Sequence, residues 1–311
     1  MAAQSWHSVL SVEEKGLALR YGVFSPDDVT KTVEMLDKLP ETYRIFIPDG
    51  RAQYESLQTV SAILAMTHRV HAGSGVIRLL EHDPSLLARR LQTIQAFSSN
   101  RCFLGVGTGS PGNQPSSTIR SLIQRVDEVR NTFDKSTPSV EAPEVWVAAL
   151  RESIASRVAS KADGLILNFC TPGHASRVIA ALGNRTGEPR IACYLKLFYA
   201  SKSNDAARRL LVQEFLNYDS IPHYHQMFLQ DRTAGSIARF RQSNDWKDHE
   251  FELPDQLLKV SLANPSDGEL AAYVRSFEEA GVDLPVIYPY FPEDEKQSFK
   301  LQTVNRICHS L

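Results

Sequence analysis

The chain has 311 residues, with 34 basic side chains against 36 acidic ones, a formal charge of −2, and 42 % apolar residues. The near-neutral balance argues against an electrostatic binder of nucleic acid or membrane surfaces, and the composition is that of a folded globular chain. It is long enough to bury a large core without disulfide or metal staples.

Short apolar runs alternate with longer amphipathic ones. A strand-like run at 17–24 precedes a helix over 25–39, whose Ser25 cap, Pro26 and first-turn acids Asp27 and Asp28 mark its start. A second run at 43–48 leads to a helix at 55–67. A third, 70–77, leads to one at 83–98, and a fourth, 102–108, to one at 117–133. Runs five and six, 145–150 and 164–170, precede helices at 151–162 and 173–184. The seventh, 190–199, is followed by about 65 residues of helical character, 200–265, too long for an ordinary loop. A helix at 266–282, an eighth run at 284–290 and a closing helix at 293–308 complete the pattern. Each run is short and rich in β-branched or aromatic residues, as buried parallel strands are. Eight strand–helix units predict a (β/α)₈ barrel rather than an open doubly wound sheet. The whole chain, 1–311, reads as one domain with an insertion at roughly 200–265.

The cysteines, Cys102, Cys170, Cys193 and Cys308, stand far apart with no Cys-x-x-Cys pair, so buried thiols are expected rather than a zinc site or disulfides. No apolar run reaches the roughly 20 residues of a membrane helix. The opening MAAQSWHSVL lacks a signal peptide's basic start and apolar stretch, which makes the cytoplasm the expected location. The glycines of RCFLGVGTGS do not fit a dinucleotide fingerprint, because Ser110 holds the last glycine's place and Pro111-Gly112 breaks the chain at once. Gly105, Gly107 and Gly109 suit either a flat ligand passing close to the backbone or a plain tight turn. His223 and His225, two apart, would point to different faces of a helix, and no metal site is expected there. Arg208, Arg209, Arg239 and Arg241 read as the solvated face of the insertion, where one could meet an acidic cofactor tail.

The segment THRVHAGSGVIRLLEHDPSLLARRLQTIQAFSSNRCFLGVGTGSPG, residues 67–112, resembles the luciferase-like flavin and deazaflavin oxidoreductases. KADGLILNFCTPGH at 161–174 and the closing section at 253–290 are similar to the same family, so the resemblance runs over about 16–290. It implies a barrel with an insertion after strand seven and hydride transfer between an organic small-molecule substrate and a deazaflavin, coenzyme F420, as in methylene-tetrahydromethanopterin reductase. The alternatives are an FMN-dependent monooxygenase fed by a partner flavin reductase, or a non-catalytic flavin-binding barrel. A homodimer is implied by the family alone.

Several residues follow from that resemblance. Asp49 matches the family's strand-two aspartate beside the cofactor ring and is the candidate catalytic carboxylate, although Gly50 stands where the family has histidine and Asp49-Gly50 also suits a turn. His82 matches the loop after strand three and is the candidate substrate contact, with Arg20 and Tyr21 as secondary candidates. Ser74, Gly75 and Val76 should form a bulge behind the ring, with a non-proline cis bond between Gly75 and Val76, and Gly107, Thr108 and Gly109 should approach the cofactor. Thr171, Pro172, Gly173 and His174 open a helix with a good cap and a free dipole end, the place expected for the cofactor phosphate.

Overall fold

The computed structural model describes residues 14–20, 24–40, 42–50, 54–109, 115–134, 140–183, 189–243, 245–247 and 250–310. The strands run β1 (Glu14–Ala18), β2 (Thr42–Ile47), β3 (His71–Arg78), β4 (Cys102–Gly107), β5 (Glu144–Ala148), β6 (Gly164–Asn168), β7 (Arg190–Phe198), β8 (Leu262–Ala263) and β9 (Leu284–Tyr290). Between them lie α1 (Pro26–Leu36), α2 (Ser56–Met66), α3 (Pro84–Ser98), α4 (Pro115–Asp134), α5 (Glu152–Val158) and α6 (Pro172–Ala180). Helices α7 (Asn204–Asp219), α8 (Pro222–Gln230), α9 (Ala234–Gln242) and α10 (Asp255–Leu258) build the insertion, and α11 (Asp267–Glu279) and α12 (Gln297–Ser310) flank β9.

All strand pairings are parallel. Strands β1 to β7 join in order, β7 pairs with β9, and β9 returns to β1, closing an eight-stranded barrel with helices around it. The closed barrel and its eight strands in the expected order are present, with β1 lying earlier, at Glu14–Ala18, than the run at 17–24. β8 was not anticipated. It arises because β7 outlasts β6, leaving an edge on which Leu262 and Ala263 pair with Leu197 and Phe198. Ser261 fixes the approach by donating its hydroxyl to the Lys196 carbonyl at 2.6 Å.

The inward-facing rows explain the glycines. Phe46, Phe103 and Trp146 fill the barrel's lower interior, with Phe46 4.7 Å from Phe103 and 6.2 Å from Trp146 between ring centres. A Cβ on Gly73 would sit 2.4 Å from the Phe103 ring, and one on Gly164 2.2 Å from the Trp146 ring. Small residues on one strand thus make room for large ones on the next, as layered barrel interiors require. Burial of each such ring supplies about 1.5–3 kcal/mol.

Local chemistry starts the helices. Ser25 and Asp28 form a capping box at α1, with Pro26 at its first position, and Ser266 and Glu269 do the same at α11. All four cysteines are buried free thiols, as expected. Burial alone pushes Cys102 up to about 12. Among the described residues no helix is long and apolar enough to cross a membrane.

Candidate active site

The carboxyl ends of the strands and the insertion enclose a cavity of about 300 Å³, at the lower end of the 300–1,000 Å³ typical of ligand sites. One wall is small and flat: Val76 on β3, Gly107 on β4, Ala148 on β5 and Ile166 on β6. A Cβ on Gly107 would lie 2.7 Å from Val76 Cγ1 and 3.4 Å from the Ala148 Cβ, so glycine keeps this shelf open for a planar group. The barrel order places β3 and β4 across from β7 and β9. From that side come Tyr194 and Tyr288, joined by Tyr218 on α7 and by His223 and Tyr224 on α8.

The shelf depends on the expected bulge. The β3–β4 register shifts between Ser74 and Ile77, where Gly75 and Val76 are passed over. Ser74 anchors it: its hydroxyl donates to the Gly105 carbonyl at 2.9 Å and accepts the Gly105 N–H at 3.1 Å. Gly105 must be glycine here, because a Cβ would stand 2.1 Å from the Gly75 carbonyl oxygen. Ser74 is therefore a buried strut beneath the shelf rather than a lining residue, and only Val76 of the three faces the cavity.

Asp49 lies on the rim, 3.4 Å from the Arg78 guanidinium, which also holds Glu81 at 2.9 Å. Thr108 and Gly109 line the cavity just beyond β4, and Gly109 has φ +70, a backbone state that favours glycine. Leu150 and Arg151 follow β5, facing Thr118 and Ile119 of α4. His82 lies away from the cavity, its carbonyl accepting from Arg125 at 3.2 Å, because the turn after β3 carries it outward. Arg20 stacks on the Tyr290 ring at 5.3 Å, and Tyr21 falls outside the described residues.

At α6, where the cofactor phosphate is expected, the structure brings in a carboxylate of the insertion. Thr171 does cap the helix, accepting the His174 N–H at 3.0 Å, but its hydroxyl donates to the Asp231 carboxylate at 2.8 Å. Arg177 grips the same carboxylate at 2.5 Å. A carboxylate of the insertion thus bonds to the side chains at that helix end, and none of Thr171, Pro172, Gly173 and His174 lines the cavity. The group supports the site from behind instead. His174 Nε2 donates to the Leu150 carbonyl at 2.6 Å, fixing the turn that presents Arg151, while its Nδ1 accepts from Arg177 at 3.1 Å.

The insertion arginines are struts more than decoration. Arg208 donates to Asp205 and to the Phe251 carbonyl, each at 3.1 Å, and Arg209 to the Trp246 carbonyl at 3.1 Å. Arg241 pairs with Asp219, which also holds His225 at 2.7 Å. His223 instead points into the cavity, so the two histidines do face apart. Burial, then the nearby Arg151, lowers the His223 pKa, which keeps its ring neutral near pH 7.

Three lining residues carry buried polar atoms with no partner in the protein: Arg151 Nε, Asn168 Oδ1 and Tyr194 OH. Buried polar groups are ordinarily paired, so unpaired ones around a cavity mark where a ligand's polar atoms belong. None was singled out from the sequence. Asn168, a polar residue at the end of the run LILN, offered a readable signal; Tyr194 sits in an apolar run and looks like core.

A closed parallel barrel with a cavity at the strands' carboxyl ends, the face where such barrels carry their active sites, defines the β/α-barrel class. The chain belongs to the luciferase-like monooxygenase family, whose model matches residues 14–131 and 119–284. Among solved structures it is similar to an F420-dependent secondary alcohol dehydrogenase, with a TM-score of 0.70 and 11 % identity over 96 % of this chain and 98 % of that one. The F420-dependent tetrahydromethanopterin reductase of Methanopyrus kandleri gives 0.65 and 14 %, covering 96 % and 99 %. The oxygenating constituent of 3,6-diketocamphane monooxygenase from Pseudomonas putida, in complex with FMN, gives 0.59 and 15 %, covering 95 % and 96 %. At these identities the likeness is one of fold. The uncharacterized protein YceB of Bacillus subtilis (strain 168) is 26 % identical over 138 residues, 36 % of this chain; the chain spans 41 % of that relative's length.

Proposed function

We propose that this protein is an oxidoreductase that holds a deazaflavin, coenzyme F420, in the cavity and exchanges hydride between it and a small organic molecule. The observation that carries the reading is the flat shelf of Val76, Gly107 and Ala148 in a cavity whose lining leaves Arg151 Nε, Asn168 Oδ1 and Tyr194 OH without partners. A tricyclic ring fits such a shelf, and a phosphate bonded to its side chain fits a guanidinium whose Nε–H has no partner. When bound, the deazaflavin supplies or accepts hydride at a ring carbon. Val76, raised by the bulge, backs the ring, while Thr108, Gly109 and Arg151 hold the phosphate-bearing side chain. Asp49, oriented by Arg78, borders the reaction space and can fix or relay a substrate proton. The tyrosine wall excludes water from the opposite side.

A second reading, FMN-dependent monooxygenation with reduced flavin from a partner reductase, is favoured by the family's own description. Titrating the purified protein with F420 and with FMN, followed by absorbance and fluorescence, separates the two. F420 should bind and FMN bind at least about 10-fold more weakly. Arg151→Gln should weaken F420 by about 10- to 100-fold, the loss of one buried charge-assisted bond, with an unchanged melting temperature. Binding of FMN alone would establish the second reading, and binding of neither would sink both.

A further inference from the structure

Two side chains of α6 hold the chain on either side of Arg151. His174 Nε2 donates to the Leu150 carbonyl at 2.6 Å, and Arg177 Nε lies 3.7 Å from the Glu152 carboxylate. The same stretch is tied to β6 and α5. The Ala149 N–H donates to the Ile166 carbonyl at 3.1 Å, and the Ala155 N–H to the Arg151 carbonyl at 2.9 Å. Arg151 thus leaves a fixed backbone to line the cavity, with its buried Nε unpartnered in the protein.

Both α6 side chains converge on one carboxylate of the insertion. The Arg177 nitrogen that donates to His174 Nδ1 at 3.1 Å also meets Asp231 at 2.5 Å. Thr171 donates to the other Asp231 oxygen at 2.8 Å. A carbonyl only accepts and a guanidinium only donates, so the His174 proton sits on Nε2 and Nδ1 offers its lone pair. The ring therefore bonds in one orientation, with Arg177 at one edge and Leu150 at the other. Asp231 directly follows α8, the helix that brings His223 and Tyr224 to the cavity. The side chains of His174 and Asp231 are only 1 % and 2 % exposed, and neither lines the cavity. One buried carboxylate sets α8 against the turn that carries Arg151.

We infer that Asp231 and His174 are positioning residues for Arg151, so that docking of α8 and binding of an anion at Arg151 strengthen each other. The inference rests on the functional reading above, in which Arg151 meets the cofactor phosphate, and adds what governs that contact. The two residues act by preorganisation: a guanidinium held in its approach loses less freedom when the anion arrives. Such coupling is reciprocal. Whatever the docked α8 adds to anion affinity, the bound anion adds to the docking of α8.

The test compares each cofactor with its phosphate-free counterpart by fluorescence titration: FMN with riboflavin, and F420 with the deazaflavin stripped of its phosphate-bearing tail. His174→Leu and Asp231→Ala should each weaken the phosphate-bearing form about 3- to 10-fold, the effect of one lost hydrogen bond. The phosphate-free form should bind them within about twofold of the parent protein. His174→Gln should recover most of the loss, because its amide again offers a donor to Leu150 and an acceptor to Arg177. In an Arg151→Gln background the same substitutions should change affinity by less than about twofold, since the residue they position is gone. Amide exchange over 225–233, around Asp231, should slow more with the phosphate-bearing form than with the other. Equal losses for the two forms, or an undiminished loss in the Arg151→Gln background, would overturn the inference by showing a purely structural role. If neither cofactor binds, the functional reading fails by itself. Inorganic phosphate titrated against the Arg151 Nε–H resonance then decides this one: the response should be weaker in His174→Leu and Asp231→Ala, and an equal response, or none in the parent protein, would overturn it.

Discussion

The two ends of the barrel use their charged and polar side chains differently. At the amino end, Arg44 lies between Glu14 at 3.2 Å and Glu144 at 2.5 Å, and Arg190 joins Glu14 at 2.8 Å. The Arg44 guanidinium is also 5.1 Å from the Phe103 ring centre and 5.4 Å from that of Trp146. Two cations meet two anions across the strands, with Arg44 Nε the one guanidinium nitrogen of that residue left without a partner. At the carboxyl end, Arg151, Asn168 and Tyr194 leave buried atoms unpaired around a cavity. The contrast teaches where the barrel is built and where it is kept available: loop-side residues carry ligands, and the opposite face carries stability.

Breaking the closed end should have the largest effect. Arg44→Ala strips Glu144 of its ion-pair partner, leaves Glu14 with Arg190 alone, and opens a gap beside Phe103 and Trp146. It should cost about 3 kcal/mol in urea unfolding, with ligand binding intact in the folded fraction. A cost below about 1 kcal/mol would show that solvent already screens the cluster.

Filling the open end should act on binding instead. Gly107→Val crowds Val76 and covers the shelf, so affinity for F420 or FMN should fall roughly 10- to 100-fold. The melting temperature should move much less than for Arg44→Ala. If Gly107→Val binds cofactor normally, the ring does not lie on the shelf.

A pH series probes both ends together. His71, beside Arg44, and His223, beside Arg151, are both held below the ordinary 6.5 by burial first and by the arginine next. The folded protein therefore takes up these protons later than the unfolded chain does. Stability should fall as pH drops below about 6.5 and level off once pH passes the folded values. Burial alone would raise Glu14 and Glu144, but Arg44 and Arg190 hold them below 4.5, so a second loss should follow at still lower pH. His223→Asn should remove only the cavity's share of the first loss. A slope between pH 7 and 5 identical to that of the parent protein would mean that His223 does not titrate out of step.

The smallest effect is expected at Tyr194. Its hydroxyl has no partner in the protein, so Tyr194→Phe should change stability by no more than about 0.5 kcal/mol, or raise it slightly, in a thermal melt. A loss above about 1 kcal/mol would show that the hydroxyl is spent on the fold, erasing the contrast between the two ends at that residue.

Much of this molecule was legible in the chain. Eight β-branched and aromatic runs, separated by capped amphipathic helices, specify a parallel barrel because neither element type can bury its apolar face without the other. The glycines at 73 and 75 announce a bulge on β3, and the β3–β4 register shifts there. Asp49, Val76, Thr108 and Gly109 were placed at the cavity from local pattern and family resemblance, since a strand's carboxyl end is fixed by sequence alone.

What the sequence could not decide was which long-range neighbour each polar group meets. Thr171 to His174 read as an empty anion site because helix capping is local, whereas Asp231, some 60 residues on, arrives there only when the insertion folds back. Tyr194 and Lys196 share one apolar run and one inward row, yet one hydroxyl is left unpaired while the ammonium finds Glu214. A strand's period of two says which residues point inward. Whether an inward polar atom is paired depends on what crosses the barrel to meet it, and that is set by packing between elements far apart in the chain.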